Sequence, residues 1–429
     1  MKKLNFRCKD ILFDREISYL EENLEIFKQL EIKISLAEEL LKSMGVSNYS
    51  NVFGSSKCNE IQLCWMFGLS INQKLQGVDA KDIHGRGVEI KNISKGNSAI
   101  FRSPLKDVNG EVLNGRDWSD FLKFSENLLK NKLSGDVLLS INSENSFGFD
   151  KILKGDGHSI FHNILDSPFW ISFQDASDPS AHLDPDELER YIKGKNGLFG
   201  NRKIPGEIYG KSEISKLMEN LSREQKQFVK ILEDIYSLFQ KVWCVELVYK
   251  KVRGKKGKKK SDIISDVKYK QGLDPFNSNN LNEFRAAVYL NSLCVKGRGP
   301  DAINENGELI ELKIVDKDNS SARVDLSPKI KDKDSIKFIE KLQKKFFIKE
   351  DDGHGYDGYV EKSIAYYVFV RDGSRFIKCL RAEGSILYKE YKPKAIQLFK
   401  DRSKGKSVQR VNVHLYYNDS KLFKKVNIL

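Results

Sequence analysis

"GPDAINENGELIELK", residues 299–313, sets two acids and a lysine into a largely apolar stretch around Asn306-Gly307. An Asn-Gly pair is a strong tight-turn signal, because both residues tolerate the left-handed backbone that a two-residue hairpin needs. The flanking segments therefore read as a hairpin in which residues whose numbers sum to 612 or 613 face each other. Asp301 then lies across from Glu311 or its neighbour. Side chains alternate along "ELIELK", so Glu311 and Lys313 share one face and Leu312 points to the other. Two readings are open at this point: a hairpin with surface charges, or a metal site.

The chain contains a second copy of this stretch. "GVDAKDIHGRGVEIK", residues 77–91, matches it without gaps at Gly77/Gly299, Asp79/Asp301, Ala80/Ala302, Gly85/Gly307, Glu89/Glu311 and Lys91/Lys313, an offset of 222. Downstream, Lys95, Asn97 and Ser98 fall on Lys317, Asn319 and Ser320; upstream, Asn59-Glu60 corresponds to Asn282-Glu283 after a one-residue shift. Helical spacing follows each copy in "SDFLKFSENLLKNKL" and "DSIKFIEKLQKKFF", and strand-like runs follow those in "GDVLLSIN" and "SIAYYVFVRDG". Each half reads helix, strand, turn, strand, helix, strand, which predicts an α/β or α+β domain built twice. Residues 140–200 have no evident counterpart and read as an elaboration. Gly and Pro cluster at 200–212, ahead of a helical stretch over 213–240, and place a domain boundary near 205/206.

The repeated unit carries chemistry. Asp79, Glu89 and Lys91 form one set and Asp301, Glu311 and Lys313 the other. Two converging carboxylates repel unless a cation lies between them, and a small number of oxygen ligands favours magnesium, which keeps waters for reaction. A lysine beside that metal can orient an attacking water and stabilise charge on a phosphate. Glu60 and Glu283, each on an expected helix 18 or 19 residues before the aspartate, are candidate extra ligands, with a solvent-facing helix acid as the alternative. An Asp-x9-Glu-x-Lys match arises by accident in so charged a chain; matching register, flanks and upstream Asn-Glu in two copies do not.

These residues resemble the PD-(D/E)xK nuclease superfamily, in particular type II restriction endonucleases. The second copy has Pro300-Asp301 and Glu311-Leu312-Lys313; the first has Val78 in place of the proline, then Asp79 and Glu89-Ile90-Lys91. The resemblance covers about thirty residues per half. It implies a mixed central sheet flanked by helices in each half, magnesium at Asp79, Glu89, Asp301 and Glu311, and hydrolysis of double-stranded DNA to 5′-phosphate and 3′-hydroxyl ends. With two sets in one chain, a monomer acting as a pseudo-dimer is expected to cut both strands at an asymmetric or pseudo-palindromic target, with a dimer as the alternative. The rivals are another nuclease of the superfamily in repair, recombination or phage defence, although no GxxxxGK[ST] element accompanies it, and a DNA-binding protein with one or both sets inactive.

Charge agrees with a polyanionic partner. The 429 residues carry +13 net, with 25 basic against 29 acidic residues over 1–200 and 48 against 31 over 201–429, so the halves hold −4 and +17. Residues 250–260 hold eight basic residues in eleven, including Lys255, Lys256, Lys258, Lys259 and Lys260, and read as a solvated loop or a clamp on the DNA backbone. Lys95, Arg102, Lys317 and Arg323 are further candidate DNA contacts. No basic amphipathic helix and no run of about 18 apolar residues argues for a membrane. The start "MKKLNFRCKDILFDREI" has charges where a signal peptide needs its apolar stretch, so a cytoplasmic location is expected. Six scattered cysteines (Cys8, Cys58, Cys64, Cys244, Cys294, Cys379) form no zinc pattern and are expected to be reduced; His158 and His162 can share a helix face but lack an accompanying acid.

Overall fold

The computed structural model describes residues 14–46, 53, 57–72, 78–102, 106–111, 113, 117–143, 146–165, 169–170, 173, 180–194, 203–253, 260–276, 279–297, 299–304, 306–325, 335–351, 359–403 and 412–427. They form a mixed α/β chain whose mixed sheets are flanked by helices. Two compact units result, one drawn from Met1–Ser43, Tyr49–Ser55 and Asp234–Leu429, the other from Met44–Asn48 and Ser56–Glu233. No helix among the described residues is long and apolar enough to cross a membrane.

Helix α1 (Asp14–Ser43) belongs to the unit built mainly by residues after 233. Ile26, Leu30, Ile34, Ala37 and Leu41 are buried at spacings of three and four, so one stripe of the helix faces a core.

The other unit runs through α2 (Lys57–Met66), β1 (Ser70–Ile71), β2 (Ala80–Lys81), β3 (Gly87–Ser94), β4 (Ala99–Arg102), α3 (Trp118–Lys132), β5 (Asp136–Asn142), β6 (Phe149–Asp156), α4 (Gly157–Leu165), β7 (Ser180–Leu183), α5 (Pro185–Ile192), β8 (Gly206–Tyr209) and α6 (Lys211–Glu219). Its sheet has the order β1-β2-β3-β5-β6-β8, antiparallel throughout except for the parallel pair β3 and β5. That parallel pair requires a crossover, which α3 supplies. Asp117 caps α3 by accepting from the Asp120 amide, and Phe121, Phe124 and Leu128 bury its apolar stripe. Residues 149–156, inside the segment without a sequence counterpart, form β6 and pair along the length of β5. The helical stretch over 213–240 is not continuous. It divides into α6 and α7 (Arg223–Phe239), because Ser222 and Gln225 form a reciprocal cap in which each backbone amide donates to the other's side chain.

The remaining chain continues through β9 (Trp243–Arg253), β10 (Lys260–Gln271), α8 (Asn280–Tyr289), β11 (Ser292–Lys296), β12 (Ala302–Asn304), β13 (Leu309–Asp316), β14 (Ala322–Asp325), α9 (Ser335–Phe346), β15 (Phe347–Asp351), β16 (Tyr359–Ser363), β17 (Ala365–Asp372), β18 (Arg375–Glu383), α10 (Gly384–Ser403), β19 (Asn412–Leu415) and β20 (Lys424–Val426). Its ten-stranded sheet runs β16-β15-β10-β9-β11-β12-β13-β17-β18-β20. The stretch β11-β12-β13-β17-β18-β20 repeats the six-stranded order strand for strand, with β13 and β17 as the parallel pair. A two-stranded ribbon accompanies each sheet, β4 with β7 and β14 with β19. Strand β17 is buried on both faces until Asp372, as a strand covered by helices must be, which explains its unbroken apolar run. The four strands β16, β15, β10 and β9 are additions with no equivalent in the six-stranded sheet.

A candidate active site written twice

Both hairpins fold in the register that the sequence predicts. Ala302 pairs with Ile310 and Ile303 with Leu309, which sets Asp301 opposite Glu311; Ala80 pairs with Val88 and Lys81 with Gly87, which sets Asp79 opposite Glu89. Gly85 and Gly307 occupy the turns at φ +77° and +72°, a region that disfavours any Cβ. Glu89 and Lys91 lie on β3, and Glu311 and Lys313 on β13, in each case the strand whose other neighbour is the parallel one. Placing them there fixes their direction, because a central strand cannot slip by one residue without turning its apolar partners outward.

One hydrogen bond is shared by the two sets. The Asp79 Oδ2 accepts from the Ile90 amide at 2.9 Å, and the Asp301 Oδ2 accepts from the Leu312 amide at 2.7 Å. Each aspartate is thus tied to the residue following the glutamate, and its carboxylate is held beside that strand. The Lys91 ammonium donates to Glu89 Oε1, and the Lys313 ammonium to Glu311 Oε1. Glu60 on α2 and Glu283 on α8 approach their respective sets closely enough to interact with them electrostatically: Glu60 with Asp79 and Lys91, Glu283 with Lys313 and Glu311.

Burial dominates the electrostatics of the acids in both sets. Burial pushes the Asp301 carboxyl well above the usual carboxylate range, and Glu311 and Glu283 push it further against the pull of Lys313. Burial likewise raises Glu283, Glu60 and Glu89. Burial works against the Lys313 ammonium, yet Glu311 and Asp301 outweigh it and hold the proton more firmly than usual. The Tyr366 hydroxyl, on the neighbouring strand β17, is also raised well above its ordinary range by burial and by the field of Glu311 and Asp301.

Among the described residues no three or more His, Cys, Asp or Glu side chains form a ready-made metal cage. Magnesium is commonly held by one or two carboxylates together with waters and phosphate oxygens. A hard-oxygen donor pair whose members repel each other, Asp79 with Glu89 and Asp301 with Glu311, fits that requirement. His158 and His162 do share a face of α4, their ring nitrogens 3.1 Å apart and both exposed.

The expected DNA contacts are placed unevenly. Lys95 and Lys317 are exposed in the turns that follow β3 and β13, and Lys317 pairs with Asp372 at 2.9 Å. Arg323 is exposed on β14, opposite His414. Arg102 lies on β4, but its side chain falls outside the described residues, as do Lys255, Lys256, Lys258, Lys259 and the Lys260 side chain. Residues 254–259 join β9 to β10, whose last described pair is Arg253 with Lys260.

Two lysines in the first set escape sequence reasoning. Lys57 donates to Glu60 from one helical turn before it, and Lys132, the last residue of α3, reaches the second oxygen of Glu89 at 3.2 Å. The first pair is readable as an i, i+3 spacing. The second depends on how α3 returns the chain to β5 and has no local signal. Neither a known family model nor a curated protein is matched by this sequence.

Proposed function

We propose that this protein is a magnesium-dependent DNA endonuclease, a type II restriction enzyme built from two domains of the PD-(D/E)xK kind. The reading rests above all on one observation: the Asp, Glu and Lys of both hairpins stand in the same register, with the same aspartate-to-amide bond and the same lysine-to-glutamate pair. A surface decoration has no reason to reproduce a partly buried hydrogen bond at residues 222 apart.

In this reading Asp79 with Glu89, and Asp301 with Glu311, hold the cation, with Glu60 and Glu283 as outlying acids. Bound magnesium supplies Lewis-acid stabilisation of charge on the scissile phosphate. The protein's own contribution is positional. The amides of Ile90 and Leu312 fix the aspartates, which prevents each carboxylate from rotating away from its glutamate. Lys91 and Lys313, beside those glutamates, would offer an ammonium to orient an attacking water or to balance charge on the non-bridging phosphate oxygens. The +17 charge of residues 201–429 supplies sequence-independent attraction to the DNA backbone. Two sets in one chain give one hydrolysis per strand, leaving 5′-phosphate and 3′-hydroxyl ends. A cytoplasmic location accords with that role.

Supercoiled plasmids of varied sequence, incubated with magnesium and with wild-type, Glu89→Ala or Glu311→Ala protein, test it. Linear product from the wild type and nicked circles from each single variant are expected. Plasmids left intact by the wild type across many sequences would remove the nuclease reading, and a single variant that still linearises DNA would strip that half of its catalytic role.

A further inference from the structure

The two sets differ in how much positive charge the protein already provides. In the first, Glu60, Asp79 and Glu89 face three ammonium groups: Lys57 on Glu60, Lys91 on one oxygen of Glu89 and Lys132 on the other. In the second, Glu283, Asp301 and Glu311 face Lys313, the one cation paired with them among the described residues. Both differences have a visible origin. Asn280 stands three residues before Glu283, where Lys57 stands before Glu60, and its amide donates to the Asp274 carbonyl at 2.8 Å. Helix α9 ends on Phe346, buried against Tyr366, where α3 ends on Lys132. Exposure follows the same division: the Glu89 side chain is 0% exposed beneath its two lysines and that of Glu311 is 20% exposed.

Resting on the reading of both sets as cation sites, we propose that Lys57 and Lys132 are built-in counter-cations that weaken divalent-cation binding at the first set, so that the second loads first. A cation entering the first set meets Lys91 and Lys132 on the two oxygens of Glu89 and Lys57 on Glu60. At the second it meets Lys313 alone among the described residues, with two of the three carboxyl groups lacking an ammonium partner. One unit charge a few ångströms away alters binding by roughly tenfold or more in partly screened surroundings. At limiting magnesium the enzyme then cuts one strand through Asp301, Glu311 and Lys313 before the other, and nicked circles accumulate as a true intermediate. Lys57 and Lys132 act through the acids, as positioning residues.

The test counts Mn2+ bound to the intact chain, without DNA, by the electron paramagnetic resonance signal of the free ion up to millimolar concentration. Wild-type protein is expected to bind two ions with affinities about tenfold or more apart. Glu311→Gln should remove the tighter and Glu89→Gln the weaker. Lys132→Gln should tighten the weaker site towards the other, Lys132→Arg should leave it unchanged, and Asn280→Lys, which places an ammonium beside Glu283, should weaken the tighter one. If the glutamate variants each remove a site while Lys132→Gln and Asn280→Lys shift nothing, or if Glu89→Gln removes the tighter ion, the lysine proposal is overturned and the metal reading survives. If Glu89→Gln and Glu311→Gln leave Mn2+ uptake unchanged, the metal reading itself falls and the proposal with it.

Discussion

Glu31→Ala should loosen the helix that presents Glu283. Arg285, on α8 two residues after Glu283, is 2% exposed and directs Nε and Nη2 at the two carboxylate oxygens of Glu31 on α1; it also donates to Asn282 Oδ1 at 3.4 Å and lies 5.0 Å from the Phe376 ring centre. Removing one partner of a buried pair costs about 3 to 5 kcal/mol, because the other charge is left without compensation. Glu31 is itself 31% exposed, so water reaches part of the vacated space, and about 2 to 3 kcal/mol is the expected cost here. A chain of two compact units need not unfold in one step, so the assay is amide hydrogen exchange read on peptides from α1 and α8. Exchange in both should accelerate about 30-fold or more for 2 kcal/mol. Glu25→Ala, which breaks an exposed pair with Lys28 on the same helix, is the control and should change exchange by less than about twofold. In the double variant Glu31→Ala/Arg285→Met the buried charge disappears along with its partner, so at least half the lost protection should return. Equal effects of Glu31→Ala and Glu25→Ala would show that the buried guanidinium is not anchored by Glu31, and the reasoning would be wrong.

Other perturbations reach the site more directly. Lys91→Ala and Lys313→Ala should each lower cutting of one strand by about 100-fold to 10,000-fold while leaving DNA affinity in a gel-shift assay nearly unchanged, since one phosphate contact is a small part of backbone attraction. Gly135→Ala should destabilise the unit that holds the first set by more than about 2 kcal/mol, because the new Cβ would lie 2.0 Å from the Gly87 carbonyl oxygen where β3 begins; thermal unfolding of that variant checks it. Cys64 and Cys379 should resist iodoacetamide at pH 8 until denaturant is added, since burial pushes both thiols up to about 12 and the reactive thiolate is scarce; mass mapping of labelled peptides would reveal any exception. DNA affinity should fall steeply between low and moderate salt, with a slope set by the phosphates neutralised, and a flat response would deny the basic half its role.

Local signals and long-range packing divide what the sequence discloses. The Asn-Gly pair and the alternation in "ELIELK" narrow the hairpin register to two neighbouring pairings, and the chain takes the one that sets Ala302 against Ile310, with Ile310 and Leu312 buried. The crossover helices α3 and α9 are legible for a similar reason: Phe121, Phe124 and Leu128 recur at helical spacing. Three things are not legible. The four added strands β9, β10, β15 and β16 carry no assignment from the sequence, and nothing local says that β10 pairs in parallel with β15, some eighty residues later. Strand β6 hides in a segment whose sequence has drifted from that of β18, although both occupy the same place beside the parallel pair. Helix α1 begins the described chain yet packs with residues after 233, a choice made by Glu31 finding Arg285 and by Asn23 exchanging two 2.9 Å hydrogen bonds with the Trp243 backbone.

The same division explains where the two sets agree and where they part. What they share is carried by residues within one hairpin: the aspartate, the amide eleven residues on, the glutamate and the lysine two beyond it. Each hairpin keeps those relations as long as it keeps its register, whatever its surroundings carry. What differs comes from outside the hairpin, from the first turn of the preceding helix and the last turn of the following one. Lys57 and Lys132 can be lost or gained without disturbing the strand pairing, as Asn280 and Phe346 in the other copy illustrate. Evolution of one site relative to the other is therefore cheapest at those two helix ends, where a single substitution alters the charge around the carboxylates and leaves their geometry alone.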